Sequence, residues 1–231
     1  MIAVILPTYN EAGNIEILLR KLHAVLPAGS LIIVVDDDSE DGTGEKVQEL
    51  AKEINIHLIS RTGQRGLGSA LKDGINYALP QGKEFILTMD ADLSHDPAVI
   101  TQMIELGKQG QKIIIGSRYV DKGQNRNFLV RVWVSRISNF LIAELLGIPC
   151  LDSTSGFRMY SSSILTDFDM ERLQGKGYSF QWEMLYLLSK QKFPIREIPI
   201  DFKKRYLGKS KFNIREIVVS TFILLKYAVK K

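Results

Sequence analysis

Asp90 and Asp92 have the types and spacing that could do chemistry. They lie in Thr88-Met89-Asp90-Ala91-Asp92-Leu93-Ser94-His95-Asp96-Pro97, after the apolar run 84–89, which reads as a short buried strand. In extended backbone, positions i and i+2 point the same way, so both carboxylates project together while Ala91 turns aside. Carboxylates that close repel each other, and a divalent cation removes the conflict. A hard Mg or Mn ion, bound by one or two protein carboxylates, fills its shell with water and phosphate oxygens. The pair therefore points to a metal and to a substrate carrying a diphosphate. The rival account is capping of a helix that opens at Pro97. It is accepted for Asp96; for Asp92 the preceding strand and the neighbours described below favour the metal.

The elements that must position this pair follow a simple rhythm. Residues 2–6, 31–35, 56–59, 84–89 and 112–115 read as strands, and 14–25, 43–54, 69–79 and 97–107 as the helices between them. Strict alternation predicts an α/β fold with a mostly parallel central sheet and helices on both faces. Ligands in such sheets settle at the carboxyl ends of the strands. After Ser117 the rhythm changes to a polar loop (121–127), a long helix (129–146) and a turn-rich stretch (152–156). Another helix (180–190), an extended segment (193–202) and a C-terminal helix (213–231) follow. One domain over 1–231 is expected, with a nucleotide and metal half (1–117) before an acceptor half (118–231).

The first strand is followed by Pro7-Thr8-Tyr9-Asn10-Glu11 and the second by Asp36-Asp37-Asp38-Ser39-Glu40-Asp41-Gly42-Thr43. Tyr9 can lie against a base, and Glu11 or Asp37 can accept from base N–H or ribose hydroxyls. Nucleoside recognition is the simplest common task. For Glu11 a favourable place near a helix N-terminus is a fair rival, and Asp41-Gly42-Thr43 reads as a turn and helix start. Three successive aspartates repel one another with no evident structural gain, which marks Asp37. A dinucleotide fingerprint is missing after the first strand. Gly66-Leu67-Gly68 reads either as a close backbone approach beside a nucleotide or as a plain tight turn.

Composition narrows the classes. A chain of 231 residues that is 45% hydrophobic can bury one large core. Cys150, the one cysteine, excludes a disulfide framework within the chain and any Cys-rich zinc site, and fits a reducing compartment. The N-terminus runs into a strand without a basic leader, and no apolar stretch reaches the ~20 residues of a membrane span. Net charge is +4, but it is unevenly spread. Residues 112–136 hold Lys112, Arg118, Lys122, Arg126, Arg131 and Arg136 against Asp121. Residues 196–215 hold Arg196, Lys203, Lys204, Arg205, Lys209, Lys211 and Arg215 against Glu197 and Asp201. Such clusters suit an anionic partner or a solvated basic face. Nucleic acid is disfavoured because aromatic residues do not interleave with them. The C-terminal helix carries Ile214, Ile217, Val218, Thr221, Phe222, Leu224 and Leu225 between basic ends, which fits either interfacial docking on a membrane or packing on the core.

Six motifs in order, Pro7-Thr8-Tyr9-Asn10-Glu11, Val35-Asp36-Asp37-x-Ser39-x-Asp41-Gly42-Thr43, Gly66-Leu67-Gly68, Met89-Asp90-Ala91-Asp92-Leu93-Ser94-His95, Gly116-Ser117-Arg118-Tyr119 and Ser155-Gly156-Phe157-Arg158, resemble glycosyltransferase family 2. Within it they are most similar to the dolichol-phosphate (polyprenol-phosphate) mannose synthases. The resemblance implies a GT-A fold, GDP-mannose as donor, Mg or Mn, and a polyprenyl (dolichyl) phosphate acceptor. It implies that Pro7, Tyr9, Glu11, Val35 and Asp37 hold the nucleoside, and that Asp90, Ala91 and Asp92 hold metal and diphosphate. Ser94, where some members carry Gln, would be a further metal-associated group. Arg205 and Lys211 match the family's basic loop near the phosphates; Arg118, Arg131 and Ser135 match its acceptor-phosphate positions. Some members continue into membrane-spanning helices, so peripheral docking at the cytoplasmic face, a membrane-spanning partner subunit or a catalytic fragment are the implied arrangements.

A phosphate monoester with a second pKa of ~6 is already largely dianionic at neutral pH, so such an acceptor needs no general base. It needs placement, and Arg131 and Ser135, i and i+4 on one helix, can grip one group. The expected reaction is inverting in-line attack, with Asp92, Arg118 and Arg205 in the chemistry. The alternatives are transfer of glucose from UDP-glucose, a phosphatase with a nucleophilic Asp-x-Asp, and a non-catalytic nucleotide-binding module at a membrane.

Overall fold

The computed structural model describes residues 1–175, 177–207 and 214–229. Its first half alternates as expected: β1 (Ile2–Thr8), α1 (Ile15–Val25), β2 (Leu31–Asp36), α2 (Thr43–Leu50), β3 (Ile56–Ser60), α3 (Leu67–Ala78), β4 (Phe85–Thr88), α4 (Val99–Lys108) and β5 (Ile113–Ser117). Then come β6 (Gln124–Asn125), α5 (Leu129–Leu146), β7 (Arg158–Ser161), α6 (Ser179–Ser189), β8 (Ile195–Pro199), β9 (Asp201–Phe202) and α7 (Ile214–Val229). Helix α2 stops at Leu50, short of the expected 54, because the chain turns back over 51–54 to bury Ile54.

Seven strands form one sheet in the order β3-β2-β1-β4-β7-β5-β8. Every pairing in it is parallel except those of β7, which runs antiparallel to both β4 and β5. Strand β7 was not expected from the sequence, where 158–161 follows a turn and is too short to show a period. Its insertion has a consequence for position. Arg158, its first residue, pairs with Thr88, the last of β4, and with Ile115 near the end of β5. The turn 152–156 therefore arrives at the same sheet edge as the carboxyl ends of β1, β2, β4 and β5.

Alternate residues of β1 divide the core. Ile2, Val4 and Leu6 face α1, α2 and α4, while Ala3 and Ile5 face α3 and, farther along the sheet, α5, α6 and α7. Helix α3 lies close to the sheet because of Gly74, where a Cβ would stand 2.5 Å from Ile5 Cγ2. Helix α5 is amphipathic in a particular way. Ile142 and Leu146 are buried, while Leu129, Val130, Trp133, Ile137 and Phe140 are exposed on the opposite face. Helix α7 packs on the core through Ile223 and Leu224, and Val218, Phe222, Leu225 and Val229 are exposed. Leu224 thus leaves the docking stripe in which the sequence placed it.

Candidate active site

At this edge the chain leaves β4 at Thr88 and bends. Asp90 and Asp92 line one cavity, as expected, but the bend and not an extended strand brings them there. Leu93 takes a left-handed φ of 63°, a costly conformation for a side chain of its size. What holds it is Asp92, whose Oδ1 accepts from the Ser94 backbone N–H (3.0 Å) and hydroxyl (2.5 Å). Ser94 thereby aims Asp92, while its hydroxyl oxygen keeps lone pairs of its own. Ala91 is buried beneath the pair. Gly156, from the turn before β7, lies against Asp90; a Cβ there would come within 3.1 Å of Oδ1.

Burial and the adjacent Asp92 push the Asp90 carboxyl up to about 7. No hydrogen bond from the described residues reaches that carboxylate. Among the described residues no three Asp, Glu, His or Cys side chains converge into a cage, so a cation here would draw its other ligands from water or substrate. Such a pair, open to a cavity, suits a divalent ion shared with a diphosphate.

Arg205 supplies counter-charge. Backbone bonds from Lys203 N to Ser94 O (3.0 Å) and from Tyr206 N to Asp92 O (3.2 Å) lay the segment after β9 along the bend. Its guanidinium then reaches Glu11 (2.7 Å) and Asp92 (3.2 Å). Glu11 is accordingly more than a favourable charge near a helix start: it bridges the β1 loop to the paired aspartates, and also accepts from Asn14 (2.7 Å). Lys211 lies outside the described residues.

The three aspartates at the end of β2 have separate roles. Asp36 accepts from Thr8 and Ser39 (2.7 and 2.6 Å) and ties the β1 and β2 loops together. Asp37 pairs with the buried Arg61 (3.0 Å) and accepts from Gly66 N (2.7 Å). Asp38 has φ 60°. The Gly66 turn therefore approaches Asp37 directly, and Gly66 itself has a φ of 146° that a side chain would not tolerate. Tyr9 lies under the Arg65 guanidinium, 4.4 Å from the ring centre. Pro7 and Val35 are register partners in β1 and β2. These five residues share the sheet edge, and Glu11 connects to the paired aspartates through Arg205.

On the other side of Asp90 and Asp92, a cavity of about 530 Å³ runs between α5 and α7 and is lined by Arg118, Arg131, Ser135, Lys204, Trp182 and Thr221, among others. The sequence-predicted Arg118, Arg131 and Ser135 thus meet the aspartates in one space. Ser135 Oγ is buried there without a hydrogen-bond partner among the described residues, which is costly unless a ligand completes it. Arg118 is held by Asp152, through Nε (2.8 Å) and Nη2 (2.6 Å); this fully buried carboxylate raises its pKa against the cost of burial. His95 is pushed down to about 4 by burial between Phe157 and Phe202.

With this geometry established, comparison with known proteins is decisive. The glycosyl transferase family 2 profile matches residues 3–168. The chain belongs to this family. Two curated family 2 relatives bear names that state their activity. The polyprenol monophosphomannose synthase of Mycolicibacterium smegmatis is 37% identical over 219 residues, spanning 92% of this chain and 82% of that one. The undecaprenyl-phosphate mannosyltransferase of Micrococcus luteus is 33% identical over 214 residues, spanning 92% and 87%. Among solved structures, glucosyl-3-phosphoglycerate synthase of Mycobacterium tuberculosis, crystallised with Mn2+, UDP and glucosyl-3-phosphoglycerate, superposes with a TM-score of 0.74 at 15% identity, covering all of this chain and 79% of that one. The fold is of the GT-A type, and this family 2 protein is a glycosyltransferase.

Several residues of this glycosyltransferase escaped the sequence reading: Arg61 behind Asp37, and Asp152, Thr154 and Asn139 behind Arg118. For Asn139 a signal existed, since it continues the i, i+4 spacing of Arg131 and Ser135. For Arg61 and Asp152 none did, because their partners are distant in sequence.

Proposed function

We propose that this glycosyltransferase moves mannose from GDP-mannose to the phosphate of a polyprenyl (dolichyl) phosphate, with inversion at the anomeric carbon. The observation that carries this reading is the continuity of one cavity from Asp90 and Asp92 to Arg118, Arg131 and the unpartnered Ser135 hydroxyl, opening between two helices whose outer faces are apolar. The names of the two curated relatives agree with it. GDP would lie across the β1 and β2 loops, with Tyr9, Glu11 and Asp37 toward the nucleoside.

Asp90 and Asp92 would hold Mg or Mn, which when bound supplies counter-charge to the diphosphate. Ser94 orients Asp92 for this. Arg118, Arg131 and Ser135 draw the acceptor phosphate beside the sugar against the repulsion of the diphosphate. An acceptor oxygen then forms a bond to the anomeric carbon as the bond to the GDP β-phosphate oxygen breaks, and GDP departs with the electron pair. No proton moves, so no base is required. Arg205, and Lys211 six residues on in the sequence, stabilise the charge that grows on GDP.

Among the described residues no helix is long and apolar enough to cross a membrane. The exposed faces of α5 and α7 suit a peripheral seat on the bilayer that holds the acceptor, at the cytoplasmic face, where the free, buried Cys150 would remain reduced.

The test is sugar transfer by purified protein from GDP-mannose or UDP-glucose to a short polyprenyl phosphate, with Mn or Mg and with chelator. Mannose transfer that stops on chelation and in Asp92→Ala is the expected result. Transfer of glucose alone would overturn the donor. Nucleotide binding without any transfer would point to a required membrane subunit or to a binding module.

A further inference from the structure

The acceptor side of the cavity rests on a buried polar network that ties α5 to the turn before β7. Asp152 Oδ2 accepts from Arg118 N (2.9 Å) and Nε (2.8 Å), and its Oδ1 accepts from Arg118 Nη2 (2.6 Å). Arg118 Nη2 also donates to Thr154 Oγ1 (2.8 Å). Three of the five guanidinium N–H groups are thus consumed, and both on Nη1 have no partner among the described residues.

Asn139 of α5 closes this network. Its Nδ2 donates to Thr154 Oγ1 (3.1 Å) and to Ser135 O (3.0 Å), with Asp152 Oδ1 at 3.4 Å. Its Oδ1 accepts from Ser153 Oγ (2.8 Å) and Thr154 N (3.1 Å). Arg131, Ser135 and Asn139 stand one turn apart on the inner face of α5, so the side chain that fixes Arg118 sits on the same stripe as Arg131 and Ser135. Glu197 completes the frame by accepting from the N–H groups of Leu151 and Asp152 (2.8 and 3.0 Å).

We infer that Asn139 and Asp152 are positioning residues, which hold the Arg118 guanidinium so that Nη1 meets the acceptor phosphate together with Arg131 and Ser135. The inference rests on the proposed function for the identity of the acceptor. An arginine free to rotate would still attract a phosphate but would not present two N–H groups to it at a set angle, and affinity would fall for lack of preorganisation. Asp152 also keeps the buried guanidinium from being left uncompensated.

The experiment is a double-mutant cycle on binding, independent of turnover. Association of a short polyprenyl phosphate is measured by calorimetry for wild type, Asn139→Ala, Arg118→Ala and the double variant, alongside GDP with Mn. Asn139→Ala should weaken acceptor binding about tenfold with GDP affinity unchanged. The double variant should be no weaker than Arg118→Ala alone, because both changes remove one interaction. Additive losses, or equal losses of acceptor and GDP affinity, would overturn the inference in favour of a general structural role. Should Asn139→Ala fail to fold, Asp152→Asn takes its place in the cycle. Coupled binding in a protein that transfers no mannose would uphold the positioning and remove the proposed reaction; absence of polyprenyl phosphate binding by wild type would remove both.

Discussion

Asp37 illustrates how a side chain becomes useful through a neighbour. Its carboxylate is buried, and Arg61, itself buried, stands beside it (3.0 Å) while reaching Asp73 (3.1 Å) and Ser69 (2.9 Å). Arg61→Ala should therefore lower stability by about 3 kcal/mol, the cost of stranding a buried charge, and weaken GDP binding; urea unfolding and nucleotide titration would measure the two. His95 gives a pH prediction. With its pKa pushed down to about 4 from the usual 6.5, the folded state refuses a proton that the unfolded chain accepts. Stability from this group is complete above 6.5 and is lost as pH falls toward 4, by on the order of 3 kcal/mol. Asp90, raised to about 7, acts oppositely, losing stability as pH rises from its usual range. The difference between wild type and His95→Phe across pH 4–7 isolates the histidine: the gap should shift in favour of the variant as pH falls.

Helices α5 and α7 each serve two surroundings. Their inner faces join the same core cluster as α6 and one face of the sheet, whereas Trp133 and Phe140 of α5 and Phe222 of α7 are each more than 60% exposed. Under the proposed peripheral seat on the bilayer, this exposed apolar face is the docking surface. Trp133→Glu together with Phe140→Glu should leave the melting temperature within about 2 °C of wild type, since surface changes rarely exceed ~0.5 kcal/mol. The same pair should reduce co-sedimentation with phosphatidylcholine vesicles at least tenfold. Loss of vesicle binding accompanied by a large fall in melting temperature would mean that the face is instead needed for folding.

The whole molecule assembles its site from segments far apart in the chain: the β1 and β2 loops, the bend after β4, Arg118 after β5, the inner face of α5, the turn before β7 and the segment after β9. A ligand that touches so many of them should stabilise the fold globally. GDP with Mn at ~100 times its dissociation constant adds about 2.7 kcal/mol, or roughly 5–10 °C in melting temperature for a chain of this size. Differential scanning fluorimetry should show that rise, its reversal by chelator and its absence in Asp92→Ala.

Much of this was legible in advance. Alternating apolar runs and amphipathic helices are local patterns, so the parallel sheet, its covering helices and the carboxyl-edge location of Asp90 and Asp92 followed from spacing. Arg131 and Ser135 came from the resemblance to the family, and the period of a helix added only that they share one face. Contacts between distant segments were not legible. Strand β7 carries no period of its own, and the pairing of Arg118 with Asp152 or of Arg61 with Asp37 spans segments that meet only once the sheet has formed. The bond from the Ser94 hydroxyl to Asp92 was not legible either, since it depends on the left-handed turn at Leu93. Residue types and spacing were thus enough to determine the fold class and the chemistry available. Tertiary structure alone decided which groups are held, which are left open and which face α5 and α7 turn outward, because burial and hydrogen-bond geometry depend on segments that the chain does not place side by side.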